Sequence, residues 1–245
     1  MHFPFPSLAV PRISTEQMIE VDRSMIEAYG IDLTRMMENA GRGLALVARD
    51  HFFDGSLHGK KIAVLAGTGG NGGGALVAAR RLANWGAEVW VGATHLNRMT
   101  SVPAQQAAIL RNMGIPVQEG IEFPENLSFD LILDGVIGYS INGDPRGAAA
   151  DMIHWANHQT APILSLDTPS GLNLSSGFIY EPTIKAEATL TLALPKHGLF
   201  AETALPYRGK LFLADISVPP SLYAQPSLNL EVGPIFAAGD VLRLA

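Results

Sequence analysis

The sequence predicts an α/β fold: a single-domain, doubly wound α/β sandwich around a mainly parallel sheet. Three observations predict it. Short apolar runs bounded by charges or glycine alternate with longer segments of helical periodicity, the pattern of strands buried on both faces and joined by crossover helices. A glycine-rich stretch, AGTGGNGGGAL at 66–76, lies between one such run and the helix after it. The 245 residues are 47% hydrophobic and 16% charged, enough apolar material for one sizeable core and no composition for disorder.

Each element follows from local pattern. Pro4, Pro6 and Pro11 break up residues 1–13, which read as an N-terminal arm. Ser14 followed by Gln17 resembles a capping box, and Met18, Val21, Met25 and Ile26 then recur at helical spacing until Gly30. A second helix starts near Leu33 and carries Met36, Met37, Ala40, Leu44 and Val47 on one stripe; the methionines read as core packing. KKIAVLAG is a buried strand and GGALVAARRLANWG its helix; AEVWVGA, PAQQAAILRNMG and PVQ continue as strand, helix and strand. FDLILDGVIG and APILSLDTPSG are strands separated by the helix GAAADMIHWANH, and AEATLTLALPK and GKLFLADI complete the sheet. The main domain spans 14–216, and 217–245 reads as a Pro-rich tail wrapping irregularly over the same domain.

Bulk properties exclude several partners. A net charge of -6 without a Lys/Arg cluster argues against nucleic acid, and no apolar run is long enough to span a bilayer. Neither a thiolate metal site nor a disulfide is possible without cysteine. The N-terminus lacks a signal-peptide pattern, so a soluble cytoplasmic protein is expected.

In open α/β sheets, ligands bind beyond the carboxyl ends of the strands where strand order reverses. Four strand ends deliver polar residues there: the glycine loop with Asn71, then Asp134 and Gly138, then Asp167 and Ser170, then Lys196. Asp134 or Asp167 alone reads equally well as a turn cap; their joint placement favours a site. The glycine loop can bind an anion through backbone N–H groups at a helix N-terminus, or can simply be a tight strand-to-helix turn. It lacks the lysine of an NTP-binding loop, and Thr94 and His95 stand where a dinucleotide fold places its acidic ribose contact. Asp151, His154 and His158 share a helical face but have no further ligand in reach, and Ser170 lies outside a nucleophile elbow.

At these same loops the sequence resembles the NAD(P)HX epimerase family, the YjeF N-terminal domain. The segments DRSMIEAYGIDLTRMMENAGR, AGTGGNGGGALVAARRLANWG, LILDGVIGYSINGDPRG, LDTPSGLN and LTLALPKHG carry the match, in the family's order. The resemblance implies a Rossmann-like three-layer αβα sandwich and a homodimer that interconverts the R and S forms of hydrated NADH or NADPH. It also implies a potassium ion and a separate NAD(P)H-hydrate dehydratase as pathway partner. By position, Asn71, Asp134 and Ser170 would be the potassium ligands. The substrate would contact Gly70, Asn71, Gly72, Gly73 and Gly74, then Gly138, Tyr139, Ser140, Ile141, Asn142, Gly143 and Asp144, with Asp167 facing the hydrated ring. Asp167 and Lys196 would be catalytic. The family's loop reads N-N-G-G-D-G where this chain has Gly70, Asn71, Gly72, Gly73, Gly74 and Ala75, so a carboxylate expected beside the substrate is replaced by Gly74. Asn173 stands where relatives often carry Asp. These departures motivate an alternative: a catalytically silent nucleotide-binding or dimerisation scaffold. An NAD-dependent oxidoreductase, suggested by the glycine loop alone, is a weaker third reading.

Overall fold

The computed structural model describes residues 3–124 and 127–244; Met1 and Ala245, at the outer bounds of the arm and tail, lie outside the described residues with His2, Glu125 and Asn126. The chain runs α1 (Thr15–Glu27), α2 (Leu33–Val47), β1 (Lys61–Ala66), α3 (Gly70–Asn84), β2 (Glu88–Ala93), α4 (Ser101–Asn112), β3 (Val117–Glu119), β4 (Leu131–Gly135) and α5 (Ala148–Asn157). It continues through β5 (Ile163–Leu166), β6 (Ala188–Leu192), α6 (Leu205–Arg208), β7 (Lys210–Ala214), α7 (Pro220–Tyr223) and β8 (Val241–Arg243). These form one 8-stranded sheet in the order β3-β2-β1-β4-β5-β6-β7-β8. Every pairing is parallel except β7 with β8, so the predicted α/β class is the observed one.

Alternation along β1 shows how the layers form. Ile62, Val64 and Ala66 face the core shared with α2, α3 and α4, whereas Ala63 and Leu65 face the core built on Met152, Ile153 and Ala156 of α5. Helices therefore cover both faces of the sheet. α1 begins with the predicted capping box: Ser14 Oγ accepts from Gln17 N–H at 3.2 Å, and Gln17 Oε1 from Ser14 N–H at 2.9 Å. Asp32 caps α2 by accepting from Arg35 N–H at 2.9 Å.

Two expectations change. The segment after Ile216 is not simply irregular: it forms α7 and the antiparallel edge strand β8, and it buries Leu222, Leu228, Ile235, Val241 and Leu242. Its prolines and weak periodicity hide a strand of three residues whose apolar side chains find the exposed edge of β7. Arg243 N–H in turn donates to Pro4 O at 2.9 Å, so the arm covers the new edge. The third helix also starts earlier than GGALVAARRLANWG suggests, with Gly69 as N-cap and Gly70 as its first residue. Gly70, Gly72 and Gly73 therefore lie in the first turn of the helix rather than in a loop before it.

That early start has a steric cause. A Cβ at Gly72 would overlap the carbonyl of Gly67, and one at Gly67 would overlap the carbonyl of Val136. Only bare backbone lets α3 begin directly against the ends of β1 and β4. The sequence order reverses between these two strands, and a crevice opens at their carboxyl ends.

Candidate functional site

At that crevice lies a cleft of about 490 Å³. One wall is Gly69, Gly70, Asn71 and Gly72 at the α3 N-terminus; another is Val136 to Ser140 after β4. Asp167 and Lys196 line it as well, with Met18 and Asp22 from α1 and Leu33, Met36 and Met37 from α2. The first-turn N–H groups of a 15-residue helix thus meet an apolar enclosure that limits competition from water.

Asp167 and Lys196 are almost completely buried, and Lys196 Nζ donates to Asp167 Oδ1 at 2.6 Å. Lys196 Nζ also donates to Leu192 O at 3.0 Å, which fixes the ammonium at the end of β6. Asp167 adopts φ 64°, a left-handed conformation that Asp tolerates better than most side chains. The cause is double duty. Its N–H stays in the ladder, donating to Leu190 O at 2.7 Å, while the following residues must turn sharply towards β4. Oδ2 makes no hydrogen bond with a described residue, so it remains available for a ligand.

One strand away, Asp134 has a different environment. Ser170 Oγ and Val136 N–H donate to Oδ1 at 2.6 and 3.2 Å; Ser165 Oγ and Ser170 N–H donate to Oδ2 at 2.8 and 2.9 Å. Burial pushes the Asp134 carboxyl above its ordinary value, and these donors oppose the shift. It forms no ion pair among the described residues. Asn71 joins the same network, since its Nδ2 donates to Leu166 O at 2.8 Å and to Ile137 O at 3.3 Å, and Ser170 Oγ lies 3.2 Å from that second carbonyl. Asn71, Asp134 and Ser170 are thereby brought to one place, surrounded by side-chain and carbonyl oxygens. The fully buried Ser170 hydroxyl is committed to this network rather than presented as a nucleophile.

Sequence reasoning missed two contributors. Asp22 comes from α1, and Tyr139 O–H donates to its Oδ2 at 2.7 Å across the cleft mouth. Burial raises the Asp22 carboxyl above its usual range, with the Tyr139 hydrogen bond and Lys196 opposing and Asp167 reinforcing. Burial likewise raises the Tyr139 phenol, helped by the Asp22 charge. The second is Ile13, which the expected arm includes. Its N–H donates to Pro195 O at 3.0 Å and its carbonyl accepts from His197 N–H at 3.1 Å, clamping the backbone on both sides of Lys196. The available signals were a lone Asp on an otherwise apolar helix face and an isolated Ile among prolines, both too common to single out.

Comparison with known proteins decides the family. The profile described as "YjeF-related protein N-terminus" matches residues 33–198. An NAD(P)H-hydrate epimerase of Dehalogenimonas lykanthroporepellens is 38% identical, over 96% of this chain and 94% of its own length. The chain belongs to the YjeF N-terminal family. Another relative, an NAD(P)H-hydrate epimerase of Rhodopirellula baltica, is 32% identical over 91% of each chain. A bifunctional NAD(P)H-hydrate repair enzyme Nnr of Salinibacter ruber is 31% identical over 87% of this chain, which covers 42% of that longer protein. The crystal structure of yeast YNL200c, at 23% identity, shares the fold with a TM-score of 0.81 over 96% of this chain and 100% of its own.

Within this YjeF N-terminal fold, the expected substrate loops divide. Gly70, Asn71, Gly72, Gly138, Tyr139 and Ser140 line the cleft; Gly73, Gly74, Ile141, Asn142, Gly143 and Asp144 do not. Asp144 Oδ1 instead accepts from Glu181 N–H at 3.1 Å. At Gly74, where the resemblance places a carboxylate in relatives, a Cβ would point at Leu166 Cδ2, 2.6 Å away, inside the helix-sheet layer. Gly73 packs towards Met37 and Pro103. Asn173 also lies off the cleft, where its Oδ1 accepts from Ser175 N–H, Ser176 N–H and Ser176 Oγ and holds a turn. Among the described residues no cluster of three His, Cys, Asp or Glu side chains gathers, so Asp151, His154 and His158 build no metal site. No helix among the described residues is long and apolar enough to cross a membrane.

Proposed function

We propose that this chain is an NAD(P)H-hydrate epimerase, interconverting the R and S forms of hydrated NADH and NADPH. The observation that carries the reading is the buried Asp167–Lys196 pair, with a free carboxylate oxygen, at a cleft edged by the α3 N-terminus. Relatives named for this activity align over most of their own length. The α3 first turn and the Gly138–Ser140 segment offer backbone donors to the substrate phosphates. Asp167 transfers a proton at the hydrated carbon, and Lys196 holds its carboxylate in place and balances its charge.

We infer a potassium site here on the resemblance: Asn71, Asp134 and Ser170 offer the oxygen donors a hard monovalent cation takes, and Asp134 would bind it by giving up part of the hydrogen bonding that fills both its oxygens in this structure. A fully buried carboxylate without an ion-pair partner among the described residues sits beside neutral hydroxyl, amide and carbonyl oxygens. Potassium held there would supply positive charge near bound phosphates and tie α3 to the loop after β4. The support for turnover despite the glycine-loop departures is that position 74 points away from the cleft. We also infer a homodimer, on the resemblance alone, and a dehydratase as pathway partner, a reading that relatives named as bifunctional NAD(P)H-hydrate repair enzymes support.

The test uses purified protein, R-form NADPHX and an S-specific dehydratase. Faster NADPH recovery than with the dehydratase alone is expected; no acceleration sinks the reading and leaves the silent scaffold. Replacing potassium by choline tests the cation, with a lower rate and melting temperature expected. Light scattering tests the dimer.

A further inference from the structure

Inversion at a carbon bearing ring nitrogen and hydroxyl requires proton transfer on both faces of the ring. In hydroxide loss, the C–O bond breaks with its electron pair going to oxygen, which takes a proton from an acid and departs as water. The nitrogen lone pair meanwhile forms a C=N bond. Water then adds to the opposite face, the C=N π pair returns to nitrogen, and the surplus proton passes to a base. The sum is one proton moved from acid to base, which solvent exchange resets. Asp167 serves one face.

The cleft contains a second carboxylate on a different wall. Asp22 projects from α1, whereas Asp167 follows β5, and both line the cavity that Tyr139 partly closes. Tyr139 O–H donates to Asp22 Oδ2 at 2.7 Å, which orients the carboxyl; Oδ1 makes no hydrogen bond with a described residue. The two environments differ. Asp167 is paired directly with an ammonium, while Asp22 is held by a neutral phenol, with Asp167 and Lys196 acting on it across the cavity. Tyr223 of α7, behind α1, is the other titratable group that senses its charge.

We propose that Asp22 is the second proton-transfer residue of the cleft, acting on the ring face opposite Asp167. The assignment rests on the epimerase reading. Burial of Asp22 favours its protonated form, which suits the donor of the pair, and Asp167 then serves as acceptor; the roles exchange in the reverse direction. A purely structural role, pinning the Tyr139 segment to α1, is the competing explanation.

Asp22→Asn and Tyr139→Phe separate the two. Asn keeps an acceptor for Tyr139 O–H but cannot carry the proton, so kcat should fall by about 10²-fold or more with KM within about threefold. Tyr139→Phe removes the bond that lowers the Asp22 pKa, so the alkaline limb of the kcat profile should move to higher pH. Should Asp22→Asn fold poorly, Asp22→Glu provides the check, with partial activity and a displaced limb expected. A wild-type rate no faster than background overturns the epimerase reading and this assignment together. An active wild type, with Asp22→Asn equally fast and its pH profile unmoved, overturns the assignment alone. Loss in Tyr139→Phe that exceeds loss in Asp22→Asn, with no shift of the limb, also overturns it in favour of the structural role.

Discussion

Asp134 and Asp167 end neighbouring strands, are equally buried and differ in almost everything else. Asp134 has both oxygens occupied by donors from Ser165, Ser170 and Val136 and has no ion-pair partner among the described residues. Asp167 has one oxygen paired with Lys196, the other open, and a backbone at φ 64°. A saturated carboxylate fixes geometry. An under-coordinated one, held in a strained conformation beside a cleft, is equipped for chemistry, because its remaining lone pairs have no other use. Burial alone does not separate the two, and neither does position at a strand end.

The largest effect that tests this contrast comes from Asp167→Asn. Epimerisation should fall by about 10²–10⁴-fold, the usual contribution of a positioned acid or base. Stability should also drop by about 3–5 kcal/mol, because Lys196 is left charged and unpaired in the interior. The double variant Asp167→Asn, Lys196→Met removes that charge, so denaturation should show most of the stability restored while the rate stays low. Recovery of rate with stability would break the assignment.

Asp134→Asn should act through the fold. The new amide nitrogen faces two donors whichever way it turns, and each hydrogen bond left unmade costs about 1–3 kcal/mol. The midpoint of urea unfolding should fall accordingly. Any potassium dependence of the rate should disappear in the same variant, since the ion would lose its charged ligand. A fully stable but inactive Asp134→Asn would move Asp134 into the chemistry and erase the distinction from Asp167.

A smaller effect is expected with pH. Burial raises the Asp22 carboxyl in the folded chain above its ordinary 3.8, so the native state binds more protons than the unfolded state between the two values. Its contribution is full below 3.8 and is lost as pH rises through the folded value. Asp22→Asn should therefore gain stability over the wild type as pH increases from 4 towards 7 in parallel urea titrations. A gap that stays constant across that range would show that Asp22 keeps its ordinary titration.

Much of this was legible in sequence for a specific reason. Parallel strands buried on both faces end in abrupt polar residues, so Asn71, Asp134, Asp167, Ser170 and Lys196 could be placed at one rim by chain order alone. What sequence did not reveal is contact across distant segments. Asp22 reaches Tyr139 over 117 residues, and Ile13 pairs with the Lys196 segment through backbone atoms that carry no side-chain signature. The edge strand β8 depends on β7 having a free side, a property of the assembled sheet. Gly74 shows a different limit: a motif position says which residue is usual there, not which way its Cβ points.

The smallest expected effect concerns that residue. Gly74→Asp restores the family's loop residue, and a silent-scaffold reading requires it to create or greatly raise activity. The geometry instead sends the new carboxylate towards Leu166 and away from the cleft, with Ala40 Cβ next nearest at 3.7 Å. Leu166 Cδ2 is the end of a flexible side chain and can turn aside, but the acid would then be buried among apolar groups. Relief from the entropic cost of glycine in a helix, up to about 1 kcal/mol, offsets an overpacking cost of about 1–3 kcal/mol. Burying the carboxyl adds to that cost, so the net should be a modest loss of melting temperature. Gly74→Ala isolates the packing contribution and should lie between the wild type and Gly74→Asp. The epimerisation rate of both should stay within about threefold of the wild type. A gain of tenfold or more in Gly74→Asp alone would mean that the α3 first turn reorients towards the cleft when a carboxylate is present, and the wall nearest Asn71 would then belong to the chemistry with Asp167.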